Sequence, residues 1–132
     1  MLSWGRRTLL PLALCALLSL TLATAVALAC PAERVTLEPD SYTFTSVGER
    51  RTFRFRYDSG AGDEHSVFTS ITGSAGFVIP SAEDRCSRAG VRLRPGDSCE
   101  LVVEYASSRF TRTATLRVDV SVASDTADLI GN

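Results

Sequence analysis

His65 is the only histidine in the chain, and it sits in a polar stretch, Asp63-Glu64-His65-Ser66. Serine, histidine and aspartate are the residue types of acyl transfer: the ring takes a hydroxyl proton and a carboxylate orients the ring. Residues adjacent in sequence do not converge as such a triad, and no Gly-x-Ser-x-Gly elbow is present. These four are expected to be solvated loop residues. Asp58, Asp63 and Glu64 offer oxygens to calcium but lack the ordered spacing of a calcium loop. No phosphate-cradling glycine motif and no paired-carboxylate site can be drawn. The sequence therefore assigns no catalytic residue, no metal ligand and no cofactor.

The cysteines carry more. There are four, at positions 15, 30, 86 and 99. Residues 1–7 hold Arg6 and Arg7 and no acid, and residues 8–29 are almost unbroken Leu, Ala, Val, Ser and Thr. A positive start followed by an apolar run is the export-signal pattern. Ala27-Leu28-Ala29-Cys30 resembles a bacterial lipobox, which implies that residues 1–29 are removed and that Cys30 is lipidated as the first mature residue. Two other readings of the same run are ordinary cleavage after Ala25 or Ala29, and a retained membrane helix, since the run is long for a signal core. Arg6-Arg7-Thr8-Leu9-Leu10 also loosely resembles a twin-arginine signal and is read as a plain basic start. Cys15 leaves with the signal. Cys86 and Cys99 remain as a pair, for which an exported setting makes a disulfide the expected state. The alternative, a metal site, needs more ligands than two cysteines and one histidine supply.

About one hundred of the 132 residues follow Cys30, enough for one small domain. Loss of Arg6 and Arg7 takes the formal net charge from −1 to −3, which gives no support for nucleic-acid binding. All fourteen cations are arginine, and the single Asn, at position 132, leaves no glycosylation acceptor.

The elements that must position these residues read as strands. Pro31 to Arg34 reads as a tether, giving residues 1–29 as signal, 30–34 as tether and 35–132 as the domain. Val35-Thr36-Leu37 alternates as an edge strand, and Pro39 breaks it, as at an edge or a switch between sheets. Phe53, Phe55 and Tyr57 share one face of a strand whose other face holds Arg54 and Arg56. Residues 58–64 are a glycine-rich loop. Residues 66–72 are β-prone with no clear inward register. Phe77-Val78-Ile79 is a short strand closed by Pro80, and residues 81–97 form a long loop. From 98 to 105, Cys99, Leu101, Val103 and Tyr105 point inward, with Glu100 and Glu104 outward. Residues 114–122 alternate longest, with Arg117 and Asp119 on the wet face, and 127–131 forms a last short strand. No helical period appears after residue 30. About seven short strands in such a length suggest an all-β, immunoglobulin-like β-sandwich.

The order of these pieces resembles the bacterial choice-of-anchor D proteins, immunoglobulin-like domains akin to Hydin-type and major-sperm-protein-like sandwiches. The resemblance rests on Val35-Thr-Leu-Glu-Pro, Phe77-Val-Ile79, Ala114-Thr-Leu116, Leu129-Ile-Gly131 and above all Cys86 followed by Leu93-Arg-Pro-Gly96, Ser98-Cys99 and Val102-Val-Glu-Tyr105. Tyr57-Asp58-Ser59-Gly60 departs from the family's Asn-Thr-Gly, and Tyr105 to Phe110 departs from its Phe-x-Pro. The resemblance implies fold, export and surface attachment, and no shared active site.

Two charged groupings complete the reading. Arg54 and Arg56 are expected to face Glu100 and Glu104 across neighbouring strands, or else to form an unpaired wet face. Arg85, Arg88, Arg92 and Arg94 form either an anion- or headgroup-facing patch or, as preferred, a solvated loop neutralised by Glu83, Asp84 and Asp97. The expected function is a non-catalytic, lipid-anchored envelope protein presenting one module for structural, adhesive or protein-binding use. Its expected partners are a protein or envelope component, and a membrane through Cys30, with no nucleic acid and no small-molecule substrate. Its expected place is the outer membrane. The alternative is a periplasmic chaperone-like or assembly factor acting by strand addition, which predicts a long unpaired edge near residues 35–44 or 127–131. A small hydrolase is a third reading, for which no residue set is found.

Overall fold

The computed structural model describes residues 32–132, so the signal and Cys30 lie outside the described residues. Glu33–Asn132 form one compact unit. It contains nine strands: β1 (Arg34–Glu38), β2 (Ser41–Phe44), β3 (Arg50–Ser59), β4 (His65–Thr72), β5 (Phe77–Val78), β6 (Arg92–Leu93), β7 (Ser98–Tyr105), β8 (Thr113–Val120) and β9 (Ala123–Gly131). A 3-10 turn covers Ser81–Glu83, and no α-helix occurs among the described residues. Glu33 and Arg34, expected in a tether, belong to this unit. Arg34 opens β1 opposite Ser59, and Glu33 accepts a hydrogen bond from the Tyr57 hydroxyl.

The strands form two sheets, a four-stranded one in the order β1-β3-β7-β5 and a five-stranded one in the order β2-β9-β8-β4-β6. All pairings are antiparallel except β2 with β9. The chain leaves the first sheet after Glu38 and joins the second at Ser41, so Pro39 stands where the strand changes sheets.

Period-two alternation builds the interior. Phe53, Phe55 and Tyr57 of β3, Leu101, Val103 and Tyr105 of β7, and Leu116, Val118 and Val120 of β8 are all buried. The two sheets meet there: the Phe44 ring of β2 lies 5.5 Å from Phe77 and 6.1 Å from Tyr105, in the opposite sheet. Burying an aromatic side chain of this size contributes about 2–3 kcal/mol. Gly131 has no room for a side chain, because a Cβ there would lie 2.4 Å from the Tyr105 ring.

Three elements differ from expectation. In β4, Val67 is buried and Thr69 and Ile71 half-buried, while Phe68 is 58% exposed. A strand has only two parities, and pairing of Val67 with Val120 selects the one that puts the aromatic outside. β9 begins at Ala123 rather than 127, because its polar first half, Ser124-Asp125-Thr126, pairs fully with β8. Finally, the long loop contains β6, whose Leu93 is buried beside β4.

Candidate functional site

Cys86 and Cys99 are joined by a disulfide, with Cα atoms 5.2 Å apart and both residues buried. The segment leading into Cys86 lies along the side of β7 away from β3, beyond the short β5. Asp84 bridges to Leu101, and the Arg85 amide donates to the Glu100 carbonyl at 3.1 Å. Those contacts supply backbone partners to an edge that would otherwise be open.

Asp84 organises the loop. Its Oδ1 accepts from the amides of Cys86 and Ser87, each at 2.9 Å, and its Oδ2 accepts from Thr69 Oγ1 at 2.9 Å and from the Ser87 hydroxyl. Thr69 belongs to β4, so one carboxylate links the loop on the four-stranded sheet to the five-stranded sheet. Burial pushes the Asp84 carboxyl up, but the bonds from Ser87, Thr69 and Cys86 outweigh it and hold the group below its usual value.

Two adjoining clefts flank this loop. One, of about 400 Å³, is lined by Arg50, Thr52, Ala82, Glu83, Arg85, Glu100 and Val102. The other, of about 310 Å³, is lined by Val91, Leu93, Ser98 and Cys99 together with Arg85 and Glu100 again.

β3 and β7 are neighbours, as the expected charge ladder requires, and Arg54 stands opposite Glu100. The ion pairs that form among the described residues are different ones. Arg50 binds Glu104 at 2.8 Å and Glu83 at 2.9 Å, while Arg56 turns to β1 and contacts Glu38 at 3.3 Å and its own neighbour Asp58 at 3.7 Å. Arg54 donates to Ser98 Oγ at 3.3 Å. Side chains this exposed contribute only a few tenths of a kcal/mol per pair. The four loop arginines do not act as one patch. Arg94 pairs with Glu64 at 2.6 Å and Arg88 reaches the Ala82 carbonyl at 3.5 Å, whereas Arg85 and Arg92 have no side-chain partner among the described residues.

His65 is not the solvated loop residue expected. It opens β4, is half-buried, and its Nδ1 lies 2.7 Å from Ser121 Oγ in the β8–β9 turn. The pairing spans 56 positions, so no local motif announces it. The Tyr57 ring is 6.0 Å away. Of the flanking acids, Glu64 is bound to Arg94, and no carboxylate contacts the imidazole among the described residues. No group of three or more His, Cys, Asp or Glu side chains gathers for a metal among the described residues.

The edge that strand addition would use is not a long one. Residues 35–44 are divided between the two sheets, and 127–131 is paired on both sides, with β8 and with β2. The outer edge of β1 is partly occupied as well: the Leu37 amide donates to Asp125 Oδ2 at 2.7 Å.

No protein-family model matches the chain, and no curated protein matches it. Among solved structures, the S-layer protein SbsC is similar in fold, with a TM-score of 0.52 at 9% identity over 77% of this chain and 13% of that one. A structure of SbsC domains 4 and 5 gives 0.52 at 9% identity over 76% of this chain and 53% of that one. The chain thus spans a small part of the first and about half of the second. The Vibrio cholerae VesB protease gives a TM-score of 0.42 at 18% identity over 74% of this chain and 30% of that one.

Proposed function

We propose that this chain is an exported, lipid-anchored cell-envelope protein presenting a single immunoglobulin-like sandwich of the choice-of-anchor D kind, which works by contact rather than by catalysis. The observation that carries the reading is the buried Cys86–Cys99 disulfide, which ties the loop to β7 in one of the two sheets. A disulfide of this kind belongs to an oxidising, exported setting. Strand neighbours distant in sequence, such as β3 with β7, support a sandwich of immunoglobulin type. The fold likeness to S-layer protein domains is in keeping with an envelope role. Lipidation at Cys30 supplies attachment, and it is stable when more than one acyl chain is present.

Fractionation of cells expressing the full chain tests the anchor. The wild-type protein is expected in the detergent-extracted membrane fraction, and Cys30→Ser is expected to move it to the soluble envelope fraction. Equal membrane retention of both would overturn the reading.

A further inference from the structure

The two outer faces of the sandwich differ in chemistry. The four-stranded sheet turns Arg50, Arg54, Arg56, Glu100 and Glu104 outward. The outer positions of the five-stranded sheet carry hydroxyls instead. Three rows run across its strands: Phe68-Asp119-Ser124, Ser70-Arg117-Thr126 and Thr72-Thr115-Asp128. Ser66, opposite Arg92, begins the next. None of these hydroxyls bonds to another side chain among the described residues. The charges on this face cancel, Arg92 and Arg117 against Asp119 and Asp128, and Arg117 contacts Asp119 at 3.4 Å. Phe68 stands opposite Asp119, so its exposed ring lies beside that ion pair.

We propose that this face binds an uncharged glycan chain, with one sugar ring stacked on Phe68 and its hydroxyls bonded by Arg117, Asp119 and the neighbouring serines and threonines. A hydroxyl both donates and accepts, so rows of them match a polymer whose own polar groups are hydroxyls. A sugar ring also has an apolar C–H face, which an exposed aromatic receives. Arg117 supplies donors and Asp119 acceptors side by side, which fixes the orientation of that ring. Other occupants fit less well. An apolar protein surface would bury the hydroxyls without partners. A nucleic acid or other acidic polymer needs an excess of cations, which this face lacks. Neighbouring strands are about 4.8 Å apart, so the row from Phe68 to Ser124 is about 10 Å long and spans a disaccharide. The surface is open, so the affinity for a short chain is on the order of millimolar. The proposal rests on the reading that the module works by contact and names the chemistry it contacts. It makes no use of the anchor at Cys30, so each can fail without the other.

The test titrates the full chain in dodecylphosphocholine micelles with cellohexaose, chitohexaose and maltohexaose. The controls are hexagalacturonate, an acidic chain of the same length, and polyethylene glycol, a neutral chain without sugar rings. Amide chemical shifts report the site. At least one neutral hexasaccharide is expected to shift Phe68, Ser70, Arg117 and Asp119 while β3 and β7 stay unshifted. Phe68→Val keeps the strand propensity and removes the ring. It is expected to weaken that binding about tenfold with an unchanged melting temperature, and Phe68→Trp is expected to retain it. No shift from any of the three at about 10 mM, shifts centred on the four-stranded sheet, or equal binding of either control would overturn the proposal. Undiminished binding by Phe68→Val, or loss of binding by Phe68→Trp, would overturn it as well.

Discussion

Asp84 shows how much local structure one side chain can hold. Its carboxylate satisfies two amides and two hydroxyls drawn from the loop and from β4. Replacing it with Asn removes the charge and leaves a donor where acceptors are needed, at a cost of about 1–3 kcal/mol. The pH dependence follows from its lowered pKa. A carboxyl more acidic in the folded state stabilises the fold above the unfolded value, near pH 4, and loses that contribution as pH falls through the folded value. Thermal melts of wild type and Asp84→Asn should therefore differ most at neutral pH and converge toward pH 2. A constant difference would remove the electrostatic account. Tyr105 makes the opposite case, since its hydroxyl is buried with no hydrogen-bond partner among the described residues. Tyr105→Phe is expected to leave stability unchanged or raise it by up to about 1 kcal/mol in chemical denaturation. A clear loss would mean that the hydroxyl has a partner. Neither role could be read from the sequence. Alternation identifies Tyr105 as inward but says nothing of its hydroxyl, and Asp84 gains its partners only when β4 meets the loop.

At the scale of elements, the legible strands are those with one apolar and one polar face. β3, β7 and β8 follow their sequence parity, because a strand with one buried face tolerates no slip. β4 was not legible, since Val67, Phe68 and Ile71 offer two competing parities and only the pairing with β8 decides between them. The first half of β9 was hidden by its polar residues, and the His65–Ser121 contact by the distance between strand and turn. The disulfide loop is the element with the largest separable effect. Replacing both Cys86 and Cys99 with Ser should cost about 3 kcal/mol and lower the melting temperature by roughly 10–20 °C. Hydrogen exchange at the Arg85 amide should accelerate in the same variant, because the loop no longer stays on the β7 edge. Unchanged exchange there would show that Asp84 alone holds the loop.

At the scale of the whole molecule, chain direction separates two ends. The chain enters the described unit at Glu33, beside the β3–β4 loop, where the Glu33 carboxylate receives the Tyr57 hydroxyl and the Ala61 amide. The turns holding the half-exposed Val47 and Phe110 lie at the other end, near Tyr105 and Gly76. The proposed function attaches the module through the residues before Glu33 and has it work by contact. The measurement that tests this account most directly is the intact mass of the protein extracted from membranes. The account predicts a chain beginning at Cys30 and carrying diacylglyceryl or triacyl modification. An unmodified chain, or one that retains the residues before Cys30, would contradict it.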